Sequence, residues 1–423
     1  MGGPSVQCAG HSGSQQSRLE GSGRKQNILE GDVCSRHASA LMPAEKKHSM
    51  GSGPSLLDRE DVHVVIVGGG YAGMQLARNL KNKARFTLID PKEMLYHNVG
   101  AVRSCTEPGF AKKILIPYAP TFGENFKQGA VTGIDAAGKT VLLASGETVK
   151  YSHLVLATGS TGPFPGKPPD GMTTTAEVTE KSEAVLKLVQ AAKNIVIVGG
   201  GAVGTEIAGE IATDYKDKEV TLIHPRDKLV NGESSDAFQK RLKEILQGLG
   251  VKLVLGERVT NLDQLPTDRV ENVTVVTDKG TEISADLVIP CTGLKVNSMA
   301  YKDSLASSME DNGSLKVNNF FEVQGTEGIY AIGDCTNIPE TKMAYRAGMH
   351  ADLLAKNILA QETGGTRKEY KPDPFIMVVS VGRKAGLGQK GTSLLPEFVV
   401  RMLKARDMMT GRYWKEMGQK LPR

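Results

Sequence analysis

Residues 63–80 read HVVIVGGGYAGMQLARNL. His63 to Val67 is a β-branched run suited to a strand buried on both faces. Gly68-x-Gly70-x-x-Gly73 follows at once, and Leu76 and Leu80 then recur at helical spacing. A second apolar run, RFTLID (85–90), ends in Asp90, about twenty residues downstream of the glycines. Each part has a physical task. The first glycine permits a tight turn, the second lets a pyrophosphate approach the backbone, and the third lets helix pack on strand. The helix N-terminus faces the phosphates with its partial positive charge, and Asp90 is placed to accept from a ribose hydroxyl.

The pattern recurs at NIVIVGGGAVGTEIAGEI (194–211), with Gly199-x-Gly201-x-x-Gly204 and a following strand KEVTLIHP (218–225). Here the ribose position falls near His224, with Arg226 just beyond. No carboxylate stands there to repel a 2′-phosphate, so the site reads as open to NADPH as well as NADH; alternatively His224 merely ends a strand. HLVLATGS (153–160) and DLVIPCTG (286–293) are apolar strands ending in small-Thr-Gly turns, at Thr158-Gly159 and Thr292-Gly293. Each marks a crossing between two nucleotide folds. GIYAIGDC (328–335) then delivers Gly333-Asp334. The fold class expected is α/β: two doubly wound Rossmann-like dinucleotide-binding domains, the second inserted in the first, plus a small C-terminal segment. The expected spans are a disordered leader 1–60, a first domain 61–165 and 291–365, an inserted domain 166–290, and a basic segment 366–423.

Composition limits the alternatives. At 423 residues the chain is long enough for two or three domains, and its hydrophobic content of 39% is ordinary. No run approaches the roughly 18 to 20 apolar residues of a membrane span. The net charge of +5 is concentrated late, with ten Lys/Arg against three Asp/Glu from Arg383 to Arg423. The five cysteines (Cys8, Cys34, Cys105, Cys291, Cys335) include no CxxC. That argues against a disulfide framework, a zinc ribbon and a redox dithiol, and no metal site is expected.

The ordered series of glycine loop, ATG, second glycine loop and GD is similar to that of the two-dinucleotide-binding-domain flavoproteins, whose first fold holds FAD and second NAD(P)H. LYHNVGAVR (95–103), EPGFAKK (107–113), LVLATGSTGPFPGK (154–167), VTLIHP (220–225) and KMAYRAGMHA (342–351) narrow it. From about His63 onward the chain resembles the apoptosis-inducing-factor-like, ferroptosis-suppressor family. The resemblance implies a FAD-dependent NAD(P)H:quinone oxidoreductase that reduces ubiquinone and vitamin K quinones to radical-trapping hydroquinones. It links the family to 6-hydroxy-FAD, the plasma membrane, lipid droplets and the mitochondrial outer membrane, and to apoptosis and DNA binding. Disulfide reductases of that superfamily carry a redox cysteine pair and this chain has none, so electrons are expected to leave directly from the flavin.

By matching position, Gly68, Gly69, Gly70, Tyr71, Ala72, Arg103, Val131, Lys167 and Asp334 would line FAD, with Asp334 on its ribityl chain. Tyr71-Ala72 stands where a Phe-Gly pair is more familiar. Gly73, Asp90, Thr158 and Gly159 complete the first nucleotide site; Gly199, Gly201, Gly204 and Gly293 mark the second. Glu206 would sit near nicotinamide and flavin, and Lys404 near the flavin-quinone region. Read without the resemblance, Glu206 is an exposed first-turn acid, Lys167 a loop charge and Lys404 a solvated lysine.

The segment LLPEFVVRMLKARDMMTGRYWKEMGQK (394–420) places Phe398, Val399, Met402, Leu403 and Met409 at helical spacing beside Arg401, Lys404 and Arg406, with Trp414 beyond. Two readings fit: an amphipathic helix at a membrane interface, or a helix packed on the flavin domain. A nucleic-acid contact has no DNA-reading motif behind it; a non-enzymatic, DNA-binding signalling flavoprotein is the competing function. Near the start, Met50-Gly51-x-x-x-Ser55 fits the N-myristoylation pattern. It predicts a form that begins at Met50 and carries the acyl chain on Gly51. The leader's arginines suggest a mitochondrial transit peptide, against which Glu20, Glu30 and Asp32 weigh.

Overall fold

The computed structural model describes residues 56–423. Met50 and Gly51, and with them the acylation pattern, lie outside the described residues. The expected boundary at residue 60 moves back, because Leu56 is buried and bridges Ala84. Apolar side chains placed this way belong to the first domain's core.

The first sheet begins with β1 (Val64–Val67), α1 (Tyr71–Leu80), β2 (Phe86–Asp90), β3 (Phe126–Gln128) and β4 (His153–Leu156). β1 pairs in parallel with β2 and β4, and β2 with β3. Its side chains alternate between two cores. Val64 and Ile66 pack with Leu76 and Leu80 of α1, while Val65 and Val67 pack with Val131, Ile134 and Val141 of an antiparallel excursion. A strand covered on both faces has to be apolar throughout, as β1 is.

The chain then leaves for a second parallel sheet of β5 (Asn194–Val198), β6 (Glu219–His224), β7 (Lys252–Leu255) and β8 (Leu287–Pro290), in the order β7-β6-β5-β8. Helix α2 (Ala202–Asp214) follows β5. The outgoing strand Ser160–Thr161 pairs antiparallel with the returning Lys295–Val296. β9 (Ile329–Ala331) then takes its place beside β4 and completes the first sheet as β9-β4-β1-β2-β3. Helix α3 (Ala344–Glu362) packs on α1. The second nucleotide fold is thus inserted into the first.

A meander of β10 (Ile376–Val381), β11 (Ala385–Lys390) and β12 (Ser393–Leu395) follows. Among the described residues, β10 is its edge strand, paired only with β11. Gly209 lets α2 approach that edge: a Cβ there would meet Val381 Cγ1 at 2.8 Å and its Cα at 2.9 Å.

Beyond β12 no single amphipathic helix forms. Glu397–Val400 is α-helical, Arg401–Ala405 is a π-helical turn, and Thr410–Glu416 starts a separate helix. Met408 and Met409, at φ of 53° and 62°, break the run; side chains adopt that conformation only where the surroundings hold them. The segment packs inward in part. Val399, Val400, Lys404, Ala405 and Met408 are buried, whereas Phe398 and Met402 are 56% and 42% exposed. Trp414 packs inward and donates its indole N–H to the Lys113 carbonyl at 2.8 Å.

Helix α2 ties the parts together through acids one turn apart: Glu206, Glu210 and Asp214. Glu210 accepts from Arg103 Nη2 at 2.8 Å and Nε at 3.0 Å, and these side chains are 0% and 1% exposed. Asp214 accepts from Arg383 Nε at 2.9 Å and Nη2 at 2.6 Å, and Arg383 also meets Glu107. Removing one member of a buried pair strands the other charge, at about 3–5 kcal/mol. Glu210→Ala is therefore expected to lower the unfolding free energy by roughly that amount in chemical denaturation. The double variant Glu210→Leu with Arg103→Met should recover a large part of the loss.

Candidate functional site

The two glycine loops are built alike. At Gly68 and Gly199, with φ of +104° and +116°, a Cβ would fall 2.4 Å from the carbonyl oxygen of Ala157 and of Cys291 respectively. At Gly73 and Gly204 it would fall 1.8 and 1.9 Å from the carbonyl of the loop's own first glycine. Gly70 and Gly201 differ: nothing lies within 4 Å of a Cβ there, and neither carries a side-chain cap for the helix that follows. Each loop therefore leaves open space at the N-terminus of a long helix. Free backbone N–H groups and the helix dipole suit that space to a pyrophosphate. The residues present fit two dinucleotides.

Asp90 and His224 end equivalent strands and make equivalent bonds. Asp90 accepts from Gly69 N–H at 2.6 Å and from Lys92 N–H at 2.8 Å. Burial raises its carboxyl above the ordinary value, against the opposing pull of Lys92 and the two N–H groups. His224 Nδ1 accepts from Gly200 N–H at 3.0 Å. Burial and the neighbouring Arg226 push the imidazole below its ordinary value, which keeps Nδ1 free to accept. His224 thus does for the second loop what Asp90 does for the first, without a negative charge.

The remaining first-site residues gather at the carboxyl ends of the strands, where ligands bind in open parallel sheets. Asp334 follows β9; its Oδ2 accepts from Ser160 Oγ at 2.6 Å and lies 3.6 Å from Lys167 Nζ. Lys167 is therefore an ion-pair partner of the GD aspartate as well as a loop residue. Gly333, at φ +77°, leaves room for Ala72, whose Cβ would be 3.1 Å from one added there. Thr158 and Gly159 are fixed to the return crossing. Thr158 Oγ1 donates to the Asn297 carbonyl at 2.7 Å, Asn297 Nδ2 donates to Thr158 O at 3.0 Å, and Asn297 N donates to Gly159 O at 3.0 Å. Gly293 is exposed on that crossing, and Val131 lies buried just beyond β3. Besides Glu210, the Arg103 guanidinium donates to the carbonyls of Ala405 at 2.7 Å and Arg406 at 3.1 Å.

Glu206 and Lys404, far apart in sequence, meet. Lys404 Nζ lies 2.5 Å from Glu206 Oε1 and donates to the Val378 carbonyl at 3.2 Å. Both are buried, so Glu206 is no exposed first-turn acid and Lys404 no solvated lysine. Glu206 sits in the first turns of α2, and Val203 on the same helix packs within reach of Gly166, next to Lys167. The pair therefore stands where the second nucleotide's helix meets the first domain and the C-terminal segment.

Sequence reasoning missed several participants. Ser380 donates to Glu206 from its N–H at 2.9 Å and its hydroxyl at 3.1 Å. His97 joins the first glycine loop to the C-terminal turn, with Nε2 2.7 Å from the Met408 carbonyl and Nδ1 2.9 Å from the Tyr71 hydroxyl. Facing a carbonyl, Nε2 carries the proton, so Nδ1 accepts from Tyr71; burial pushes the imidazole down to about 4, consistent with that neutral form. Glu210 and Asp214 had a legible signal in the four-residue repeat of acids through an otherwise apolar helix. Cys105, Cys291 and Cys335 are free, and burial raises all three thiols, Cys105 to about 12. Among the described residues no group of three or more His, Cys, Asp or Glu gathers as a metal site.

The family model for pyridine nucleotide-disulphide oxidoreductase matches residues 62–351. Ferroptosis suppressor protein 1 of Mus musculus is 46% identical over 375 residues, covering 88% of this chain and 100% of that protein. Its Homo sapiens counterpart is 44% identical, covering 85% of this chain and 97% of its own length. Among solved structures, the sulfide:quinone oxidoreductase of Aquifex aeolicus superposes with a TM-score of 0.67, at 18% identity, over 85% of this chain and 92% of that one; this likeness shows the fold. With two dinucleotide cradles in place, the chain belongs to the pyridine nucleotide-disulphide oxidoreductase family, in its ferroptosis-suppressor branch, and is an NAD(P)H-dependent flavoprotein oxidoreductase.

Proposed function

We propose that this flavoprotein is an NAD(P)H:quinone oxidoreductase working at the cytoplasmic face of membranes. It would reduce ubiquinone and vitamin K-type quinones to hydroquinones that trap lipid radicals and so suppress lipid peroxidation and ferroptosis. One observation carries the reading: a buried Glu206–Lys404 pair stands where the helix of the second nucleotide cradle meets the C-terminal segment. Bound FAD would supply the two-electron chemistry between NAD(P)H and a quinone. The chain supplies binding and electrostatics. The glycine loops hold the pyrophosphates, and Asp334 with Lys167 and Ser160 presents a carboxylate beside the first cradle. Lys404 offers a fixed cation for negative charge developing on the acceptor oxygen, and Glu206 prevents that cation from standing alone in a buried site. No CxxC occurs in the sequence, and buried thiols held protonated make poor nucleophiles. Direct transfer to a quinone is the route that fits.

A lipidic acceptor requires access to a bilayer, and no described helix is long and apolar enough to cross one. Phe398, Met402 and Leu394 are exposed close to Lys404 in sequence, with Arg401, Lys390 and Arg406 exposed nearby. An apolar cluster among cations suits an anionic lipid surface. A myristoyl chain on Gly51 would be the second signal, since one acyl chain alone binds marginally. Plasma membrane, lipid droplets and the mitochondrial outer membrane are the candidate surfaces, with a cytosolic pool. The uncharged His224 and exposed Arg226 favour use of both NADH and NADPH; 6-hydroxylation of the flavin is an open modification.

Steady-state turnover of the FAD-loaded protein with a short-chain quinone tests the activity, and failure to oxidise NADH or NADPH with any such quinone sinks it. Glu206→Gln and Lys404→Met are each expected to lower kcat by about 10²-fold with flavin absorbance retained; unchanged rates would remove both from the machinery. Each of Phe398 and Met402 carries about 1.5–3 kcal/mol of burial energy. Replacing both by Glu should weaken flotation with anionic liposomes at least ~10-fold while short-chain turnover stays intact. Intact-mass measurement on protein from its native cells checks the acyl group: a product without it on Gly51 removes the lipid anchor from the proposal.

A further inference from the structure

The two oxygens of the Glu206 carboxylate are treated very differently. Oε1 receives the Ser380 N–H at 2.9 Å, the Ser380 hydroxyl at 3.1 Å and the Lys404 ammonium at 2.5 Å. Oε2 receives no hydrogen bond from the described residues, although Glu206 is buried.

The source of this asymmetry is the free edge of β10. Residues 378 and 380 have the same parity, so their main-chain polar groups leave the strand on the same side. On that side the Val378 carbonyl takes the ammonium at 3.2 Å and the Ser380 N–H takes the carboxylate. The edge binds both members of the ion pair. The Ser380 side chain, fully buried, adds the one donor that the strand backbone lacks. With three groups crowded on Oε1, rotation of the carboxylate about its last bond would break several contacts at once, and Oε2 is left as the oxygen with no donor among the described residues.

We infer that Ser380 is a positioning residue for nucleotide recognition, locking Glu206 so that Oε2 accepts a hydrogen bond from the carboxamide N–H2 of nicotinamide. The inference rests on the reading that Glu206 lies beside the nicotinamide end of the second cradle. The chemistry of the ring supports the choice of group. The carboxamide N–H2 is the hydrogen-bond donor that the nicotinamide ring offers, and an acceptor-only carboxylate oxygen complements it. A polar site of this kind rejects an analogue that lacks the donor, because the acceptor is then left unpaired.

The 3-acetylpyridine analogue of NAD⁺ is such a molecule, with a methyl ketone in place of the amide. Calorimetric titration of the FAD-loaded protein with NAD⁺ and with this analogue gives a readout independent of turnover. The unaltered protein is expected to bind NAD⁺ about tenfold more tightly than the analogue, the scale of one hydrogen bond to a charged group. Ser380→Ala should weaken NAD⁺ binding about three- to tenfold, leave analogue binding unchanged, and so erase most of the discrimination. Equal weakening of both ligands would show a general structural role and overturn the inference, as would no weakening of either. A wild-type protein that does not discriminate overturns the carboxamide contact itself. No quinone enters the titration. Loss of the quinone reading through absent turnover, with the discrimination intact, would leave the role of Ser380 standing.

Discussion

Three acids on one face of α2, Glu206, Glu210 and Asp214, each need a cation, and no cation comes from α2 itself. Lys404 and Arg383 come from the C-terminal segment and Arg103 from the first domain. A helix that buries carboxylates is unstable alone, since each charge must be matched in a medium of low dielectric constant. The matching therefore sets the assembly: the inserted fold is held against the rest of the chain by charges that have nowhere else to go. Arg103 donates to the Ala405 and Arg406 carbonyls at the same time, so one guanidinium joins the helix, the first domain and the turn that carries Lys404.

The edge of β10 shows how a liability is converted to use. An edge strand leaves unpaired N–H and C=O groups that invite another chain. Here part of that edge is occupied by an ion pair, with the carbonyl on the cation and the amide on the anion. Such matching needs the helix close by, which explains the glycine at 209, where any side chain would collide with Val381. The left-handed pair Met408–Met409 has a related role. Its carbonyl at Met408 is held by His97, which is held in turn by Tyr71 of the first glycine loop, so the reversal of the chain after Lys404 is anchored to the dinucleotide cradle.

Much of this was legible from local pattern. The glycine spacings are strict because a Cβ would strike backbone at the first and third positions, and such constraints leave a mark in sequence. The inner strands β1, β4 and β5 are almost wholly apolar because both faces are covered. What was not legible depends on contacts between distant segments. Nothing near Ser380 or Val378 announces that their edge will meet Glu206, and nothing near Arg103 announces its pairing with Glu210. The C-terminal segment was misread as one helix because apolar residues at helical spacing do not reveal a left-handed break between Met408 and Met409. Residues 56–60 read as part of the leader because one buried side chain, Leu56, among charged neighbours makes too weak a pattern.

The paired crossings have an evolutionary meaning. Ser160–Thr161 and Lys295–Val296 lie side by side as an antiparallel ribbon, so the inserted fold leaves and returns through points only about 5 Å apart. A module whose ends nearly touch can be exchanged for another without disturbing its host, since the host sees the same short gap either way. The first sheet, completed by β9 only after the excursion, keeps its strand order whatever fills that gap. The ribbon is thus a natural seam, along which one dinucleotide fold could have been duplicated and received into its own copy.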